Sequence, residues 1–137
     1  MADLVYNTIT TEDDYLRNAR VDLNAELKAR MEDDVGDENP APAFIYSVEN
    51  YLKEKIIEHN PFNDPNLLND NYVFETEHQT KMFKRATCYQ ISYLLKNGNV
   101  TNNISEVLSR EQMDKLGIDK NAERCLFVGG LWNVRRC

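Results

Sequence analysis

Phe74–Asn97 reads FETEHQTKMFKRATCYQISYLLKN, and no glycine or proline interrupts it. Met82, Phe83, Ala86, Tyr89, Tyr93 and Leu94 recur at steps of three and four, so they fall on one face of a helix. Glu75 and Glu77 stand near its start and Lys96 near its end, the polarity that a helix dipole favours. Gly98 follows the terminal Asn97 and is the expected stop. At about 1.5 Å per residue, a helix of ~24 residues spans roughly 36 Å. That is long enough to be the central strut of a small domain, with the other helices packed against it.

Toward the N-terminus, Thr10-Thr11-Glu12-Asp13-Asp14 marks a helix start, with Thr11 as the cap and Asp14 three residues on as its reciprocal partner. Leu16, Ala19, Leu23, Leu27 and Met31 follow at helical spacing and predict a helix over 12–32. Val21 falls off that stripe, which points to a break near Arg20–Asp22. Residues 33–42, DDVGDENPAP, hold four acids, a glycine and two prolines and read as a solvated linker. Pro42 suits the first turn of a second helix over 42–59. There Phe44, Ile45, Val48, Tyr51, Leu52 and Ile56 form an apolar stripe, while Glu49, Lys53 and Glu54 are expected to face water. Residues 60–73, NPFNDPNLLNDNYV, are rich in Asn, Asp and Pro and read as a loop pinned by Phe62, Leu67, Leu68 and Tyr72. A loop of that length without a helix of its own is a candidate contact surface.

On the other side, Gly98–Asn103 is a polar turn. A short helix is expected at about Leu108–Leu116, capped by Ser109 with Gln112 in the reciprocal position and ended by Gly117. The stretch Arg124–Cys137, RCLFVGGLWNVRRC, then changes character. Leu126, Phe127, Val128, Leu131, Trp132 and Val134 flank Gly129-Gly130, and Arg135-Arg136 follow. Such a segment is too apolar to wave in water, so either it tucks back onto the helices or a neighbouring molecule buries it. Trp132 beside arginines reads as a binding anchor or, equally, as a core residue. The expected fold is all-α: three to four helices around a long central one, with a long loop. Residues 1–123 form the helical domain and 124–137 an extended C-terminal arm.

A chain of 137 residues is one domain on length alone. Seven Tyr and five Phe exclude a disordered acidic polymer. No apolar run approaches the roughly 20 residues that cross a membrane. The opening residues lack the basic start and apolar core of a signal peptide, so the chain is expected to act without secretion. Cys88, Cys125 and Cys137 stand at unrelated spacings, and the only histidines are His59 and His78, so no metal site is expected. Cys88, on the central helix, reads as a small buried filler. No nucleophile elbow, phosphate loop, dinucleotide fingerprint or zinc-protease motif is present, and acidic pairs such as Asp13-Asp14 and Asp33-Asp34 read as solvated. Neither catalysis nor a cofactor is expected.

The net charge of −7 is unevenly placed. Residues 1–80 hold 18 acids and 6 bases, a balance of −12, and residues 81–137 hold 5 acids and 10 bases, a balance of +5. Such a gradient suits head-to-tail stacking of copies or opposite faces for different partners, or it is merely a difference between solvated helix faces. Lys81, Lys84 and Arg85 lie within one turn of one another and form a small basic patch. They are candidate contacts to an acidic neighbouring subunit or to phosphate, or ordinary solvent-facing charge. Net acidity argues against a dedicated DNA-binding domain.

The order of parts is distinctive. A TTEDDY helix start precedes an amphipathic helix and a turn-rich loop bearing prolines. The long QTKMFKRATCYQISYLLKNG helix comes next, then NISEVLSREQMDKLGI, then a tail containing LFVGG and closing on arginines. From about Thr10 onward this resembles the head–tail connector (head-completion adaptor) proteins of tailed bacteriophages. The acidic linker and the Asn-rich loop are longer than that family leads one to expect. The resemblance implies a structural virion protein, made in the host cytoplasm and placed in the neck between capsid and tail. It implies a closed homo-oligomeric ring, dodecameric in that family, bound to the portal protein and to a tail or further adaptor protein. DNA would pass through the channel without specific binding, and no membrane is involved. The arm residues Leu126, Phe127, Leu131, Trp132, Val134, Arg135 and Arg136 would then contact the partner. The alternative class is a small acidic helical interaction or inhibitor protein without catalysis.

Overall fold

The computed structural model describes residues 7–32, 36, 38–59, 65–69 and 72–132. Among them the protein is all-helical, without a strand. The α-helices are α1 (Glu12–Ala19), α2 (Leu23–Arg30), α3 (Ala41–His59), α4 (Glu77–Asn97), α5 (Arg110–Leu116) and α6 (Lys120–Val128), with a short 3₁₀ turn at Pro65–Leu68 between α3 and α4. None is long and apolar enough to cross a membrane.

The segment read as one helix over 12–32 is two, broken where Val21 left the stripe. Thr11 and Asp14 close a reciprocal capping box at the start of α1: the Thr11 hydroxyl accepts the Asp14 N–H at 3.1 Å, and the Asp14 carboxylate accepts the Thr11 N–H at 2.9 Å. Arg20 ends α1 in the left-handed region at φ 58°, and Asp22 caps α2 by accepting the Ala25 N–H at 3.3 Å. The break turns Tyr15 inward and leaves Leu16 exposed, whereas Leu23, Leu27 and Met31 on α2 are buried as expected.

α3 buries its whole predicted stripe, from Phe44 to Ile56. Two of its polar residues do not face water: Glu49 is 1% exposed and Lys53 2%. The reason lies upstream, because residues 9 and 10 cross over this face and need acceptors. The Glu49 carboxylate takes the N–H of Ile9 at 3.0 Å and that of Thr10. Burial pushes the carboxyl above its usual range, against the pull of those two N–H groups and of Lys53. Glu54 lies nearer the surface and pairs with Arg110 of α5, whose guanidinium sits 4.8 Å from the centre of the Tyr51 ring.

α4 begins at Glu77 rather than Phe74, because Thr76 caps it by accepting the Gln79 N–H at 3.1 Å. Phe74 stays outside the helix, buried against Phe83 and Tyr72. As the central strut, α4 buries far more of its circumference than one stripe, including Thr87, Cys88, Gln90 and Ile91. Tyr89, read as part of the inward face, points out and is 46% exposed. In the loop before α4, Leu67 is buried and Leu68 exposed, and Phe62 lies outside the described residues.

α6 is the helix that the sequence reading did not place. Asp119 caps it by accepting the N–H groups of Asn121 and Ala122. It packs on α4 more extensively than any other pair of helices pack together. The two run antiparallel: Gln90 holds the turn into α6, donating to Gly117 O and accepting from the Asp119 N–H, both at 2.9 Å, while Gly129 past the far end lies against Met82. A Cβ on Gly129 would sit 3.0 Å from the Met82 Cβ, so the close approach of α6 to α4 needs a glycine there. Gly117, at φ 75°, supplies the left-handed turn between α5 and α6.

The boundary expected after residue 123 therefore falls inside a helix, and residues 124–132 belong to the helical body rather than to an extended arm. Leu126 is buried, and its carbonyl accepts the N–H groups of both Leu131 and Trp132, turning the chain back inward. Trp132, 8% exposed, ends against the last residue of α3.

Candidate interaction face

The outward strip of α4 runs beside α6, with Arg85 near Cys125 and Tyr89 near Asn121. Lys81, Arg85 and Tyr89 follow one another at single helical turns along α4, all exposed. Across the seam, Lys120, Arg124, Phe127 and Val128 of α6 are exposed, Phe127 to 53%. Arg85 and Arg124 both act electrostatically on the thiol of Cys125, so both charges lie near it.

Like Arg20, Lys96 and Lys115 elsewhere on the chain, these cations are without a carboxylate partner among the described residues. Arg17, Arg30, Lys55, Lys84 and Arg110 each pair with a carboxylate. Lys81, Arg85, Lys120 and Arg124 form no ion pair among the described residues. The acids nearest them on α6 are Asp119, spent on the cap, and the half-buried Glu123. The predicted trio Lys81, Lys84 and Arg85 is thus divided. Lys84 turns toward α1 and pairs with Asp14 at 3.4 Å, leaving Lys81 and Arg85 outward. Burial raises the Asp14 carboxyl, but the Thr11 N–H and hydroxyl and the charge of Lys84 outweigh it and hold the group below its usual value.

The expected arm contacts divide as well. Leu126, Leu131 and Trp132 are core residues of this chain, and only Phe127 is presented outward. Val134, Arg135 and Arg136 lie outside the described residues. Among the described residues the buried Trp132 Nε1 has no hydrogen-bond partner.

A notch of about 90 Å³ lies between α1 and α4, lined by Asn18, Ala19, Arg85, Cys88, Tyr89 and Ser92. Its thiol is no nucleophile: burial, reinforced by Asp14, pushes Cys88 up to about 12. The two histidines are engaged separately, His59 against Trp132 and His78 with Val128 O at 3.3 Å. Among the described residues no group of three His, Cys, Asp or Glu is placed to hold a metal ion. Lys120 and Arg124 were not singled out by sequence. The signal for them was their spacing of four behind Asp119, which is a capped helix start followed by a basic stripe.

Comparisons with protein-family models, with curated proteins and with solved structures find no significant match to this chain.

Proposed function

We infer that the chain is a structural subunit of a tailed-phage neck, a head–tail connector that assembles as a ring between the portal protein and a tail or adaptor protein, with DNA passing through it. The order of sequence parts supports this reading, and an all-helical body is consistent with it. The observation that carries it is the two-sidedness of the charge. An acidic chain of net −7 keeps a face of unpaired cations and exposed aromatic rings on α4 and α6, as a subunit with a different neighbour on each side requires. Of the expected partner contacts Phe127 is presented outward, and Val134, Arg135 and Arg136 lie outside the described residues. Acids elsewhere on a ring would let DNA slide, since phosphates find no basic partner there. A DNA-mimicking inhibitor would need acids on its outward face, and the α4–α6 face has the opposite sign.

The test is to mix the purified chain with its candidate portal protein and measure mass by light scattering and shape by negative-stain imaging. Rings, alone or dependent on the portal, are expected. A chain that stays monomeric and ignores the portal would end the connector reading.

A further inference from the structure

No glycine or proline lies between Glu12 and Glu32, yet the chain folds there into two helices instead of one. The bend turns on Arg20, whose backbone is left-handed at φ 58°, ψ 34°. Among the described residues it is the one non-glycine with a positive φ, a conformation that a residue with a Cβ adopts only at a cost in energy. Leu16, Ala19, Leu23 and Leu27 keep a single helical register across the bend, and the bend leaves Leu16 exposed. Local preference for one helix thus conflicts with the observed pair, and the contacts that α1 makes decide between them.

Those contacts are few. Tyr15 is the one buried residue of α1, and its hydroxyl lies 3.0 Å from that of Ser92 on α4. Asp14 pairs with Lys84 of α4 at 3.4 Å, and Glu12 accepts from the Asn24 side chain of α2 at 2.9 Å. Just upstream, Glu49 of α3 accepts the N–H groups of Ile9 and Thr10. Each bond joins residues 9–19 to a seat formed by α2, α3 and α4, and each is equally good when the segment comes from another molecule. In a straight helix Glu12 and Asn24 of one chain would stand about 18 Å apart at 1.5 Å per residue, so that bond too would then be made to a neighbour. We propose that residues 9–19 are an exchangeable element: the bend at Arg20–Asp22 straightens, residues 12–32 become one helix, and α1 docks in the seat of a second copy.

Exchange keeps these contacts, now between molecules, and relieves the left-handed residue. It adds the helical hydrogen bonds that the bend interrupts. Against it stand the cap that Asp22 supplies to α2, accepting the Ala25 N–H at 3.3 Å, and the lost freedom of separate molecules. The closed form is therefore favoured in dilute solution and the exchanged form at high concentration. Reciprocal exchange makes a dimer, and exchange handed from copy to copy makes a ring or a filament. The exchange does not depend on the connector reading.

The test uses the Asp14–Lys84 ion pair as a reporter. Light and heavy isotope-labelled full-length chains are concentrated together in equal amounts, and monomer is separated from the associated fraction by gel filtration. A zero-length carbodiimide then joins Asp14 to Lys84, and mass spectrometry of the linked peptides reads the label of each half. In the associated fraction about half of these pairs should carry mixed labels, the random share when the two halves come from different molecules, whereas the monomer should give none. Arg20→Gly removes the strain and weakens the straight helix, so it should associate about tenfold more weakly. Asp22→Ala removes the α2 cap and should associate about fivefold more strongly. Both positions are exposed, and circular dichroism checks that helix content is kept. An associated fraction whose Asp14–Lys84 pairs are never mixed would overturn the proposal. So would an Arg20→Gly chain that associates as well as the unaltered one, or an unaltered and an Asp22→Ala chain that both stay monomeric at every concentration.

Discussion

The imidazole of His59 lies flat against the indole of Trp132, with ring centroids 4.0 Å apart and planes 10° from parallel. The stack joins the end of α3 to the chain beyond α6 and closes the core on that side. Trp132→Ala should cost about 3 kcal/mol of stability by loss of buried surface, and His59→Ala about 1 kcal/mol by loss of the ring contact. Urea unfolding followed by circular dichroism measures both. A Trp132→Ala chain as stable as the parent would show that the indole is not part of the core.

The two carboxylate oxygens of Glu49 accept the N–H groups of Ile9 and Thr10. Glu49→Ala should cost about 2 kcal/mol, and the Thr10 amide should lose its protection from hydrogen exchange. The pH dependence has a definite sign. Because the folded carboxyl titrates above its unfolded value, its contribution is fully present below the ordinary carboxylate range and is lost as pH rises through the raised value. The deficit of the alanine variant should therefore be larger in acid than at neutral pH; a deficit that grows with pH would contradict the assignment.

Asp14 behaves the other way. Its carboxyl is held low in the folded chain, so its contribution is present above the ordinary value and disappears as pH falls through the lowered one. Asp14→Asn should cost about 1 kcal/mol at neutral pH and nothing further in acid. Lys84→Met should move stability the same way by a smaller amount. Thermal unfolding across the acid range separates the two.

Cys88 should be inert while the chain is folded. In a Cys125→Ser, Cys137→Ser background, a thiol reagent at neutral pH should label it only as fast as the chain unfolds, because burial pushes its thiol up to about 12. Labelling that outpaces unfolding would mean that the notch beside Tyr89 admits solvent to the sulfur.

Local signals in the sequence were sound wherever a cap or a breaker decided the outcome. Thr11 with Asp14, the interruption at Arg20–Asp22, and Ser109 with Gly117 are all where the spacing placed them. Readings that depended on which way a side chain faces fared less well. Tyr89 sits in register with buried residues, but on a strut covered on several sides the one open strip is set by where α1 and α6 stop, and that is tertiary information. Glu49 and Lys53 looked solvated because charge on an amphipathic helix usually is, and the burial of Glu49 follows from the crossing of residues 9 and 10, which its own helix does not reveal. α6 was missed because its apolar end, Leu126–Val128, was read together with Gly129-Gly130 as the start of an arm rather than as the last turn of a helix capped by Asp119. The basic face went half-seen for the same reason, since Lys120 and Arg124 join Lys81 and Arg85 only once α6 is laid along α4.

Placing Leu126, Leu131 and Trp132 in the core has a consequence for how the protein is made. α3 and α4 emerge from the ribosome long before the residues that cover them, so the nascent chain carries an open apolar flank until translation has passed residue 132. Folding cannot be completed before those residues are made, and a product stopped short of them leaves that flank open to chaperones and proteases.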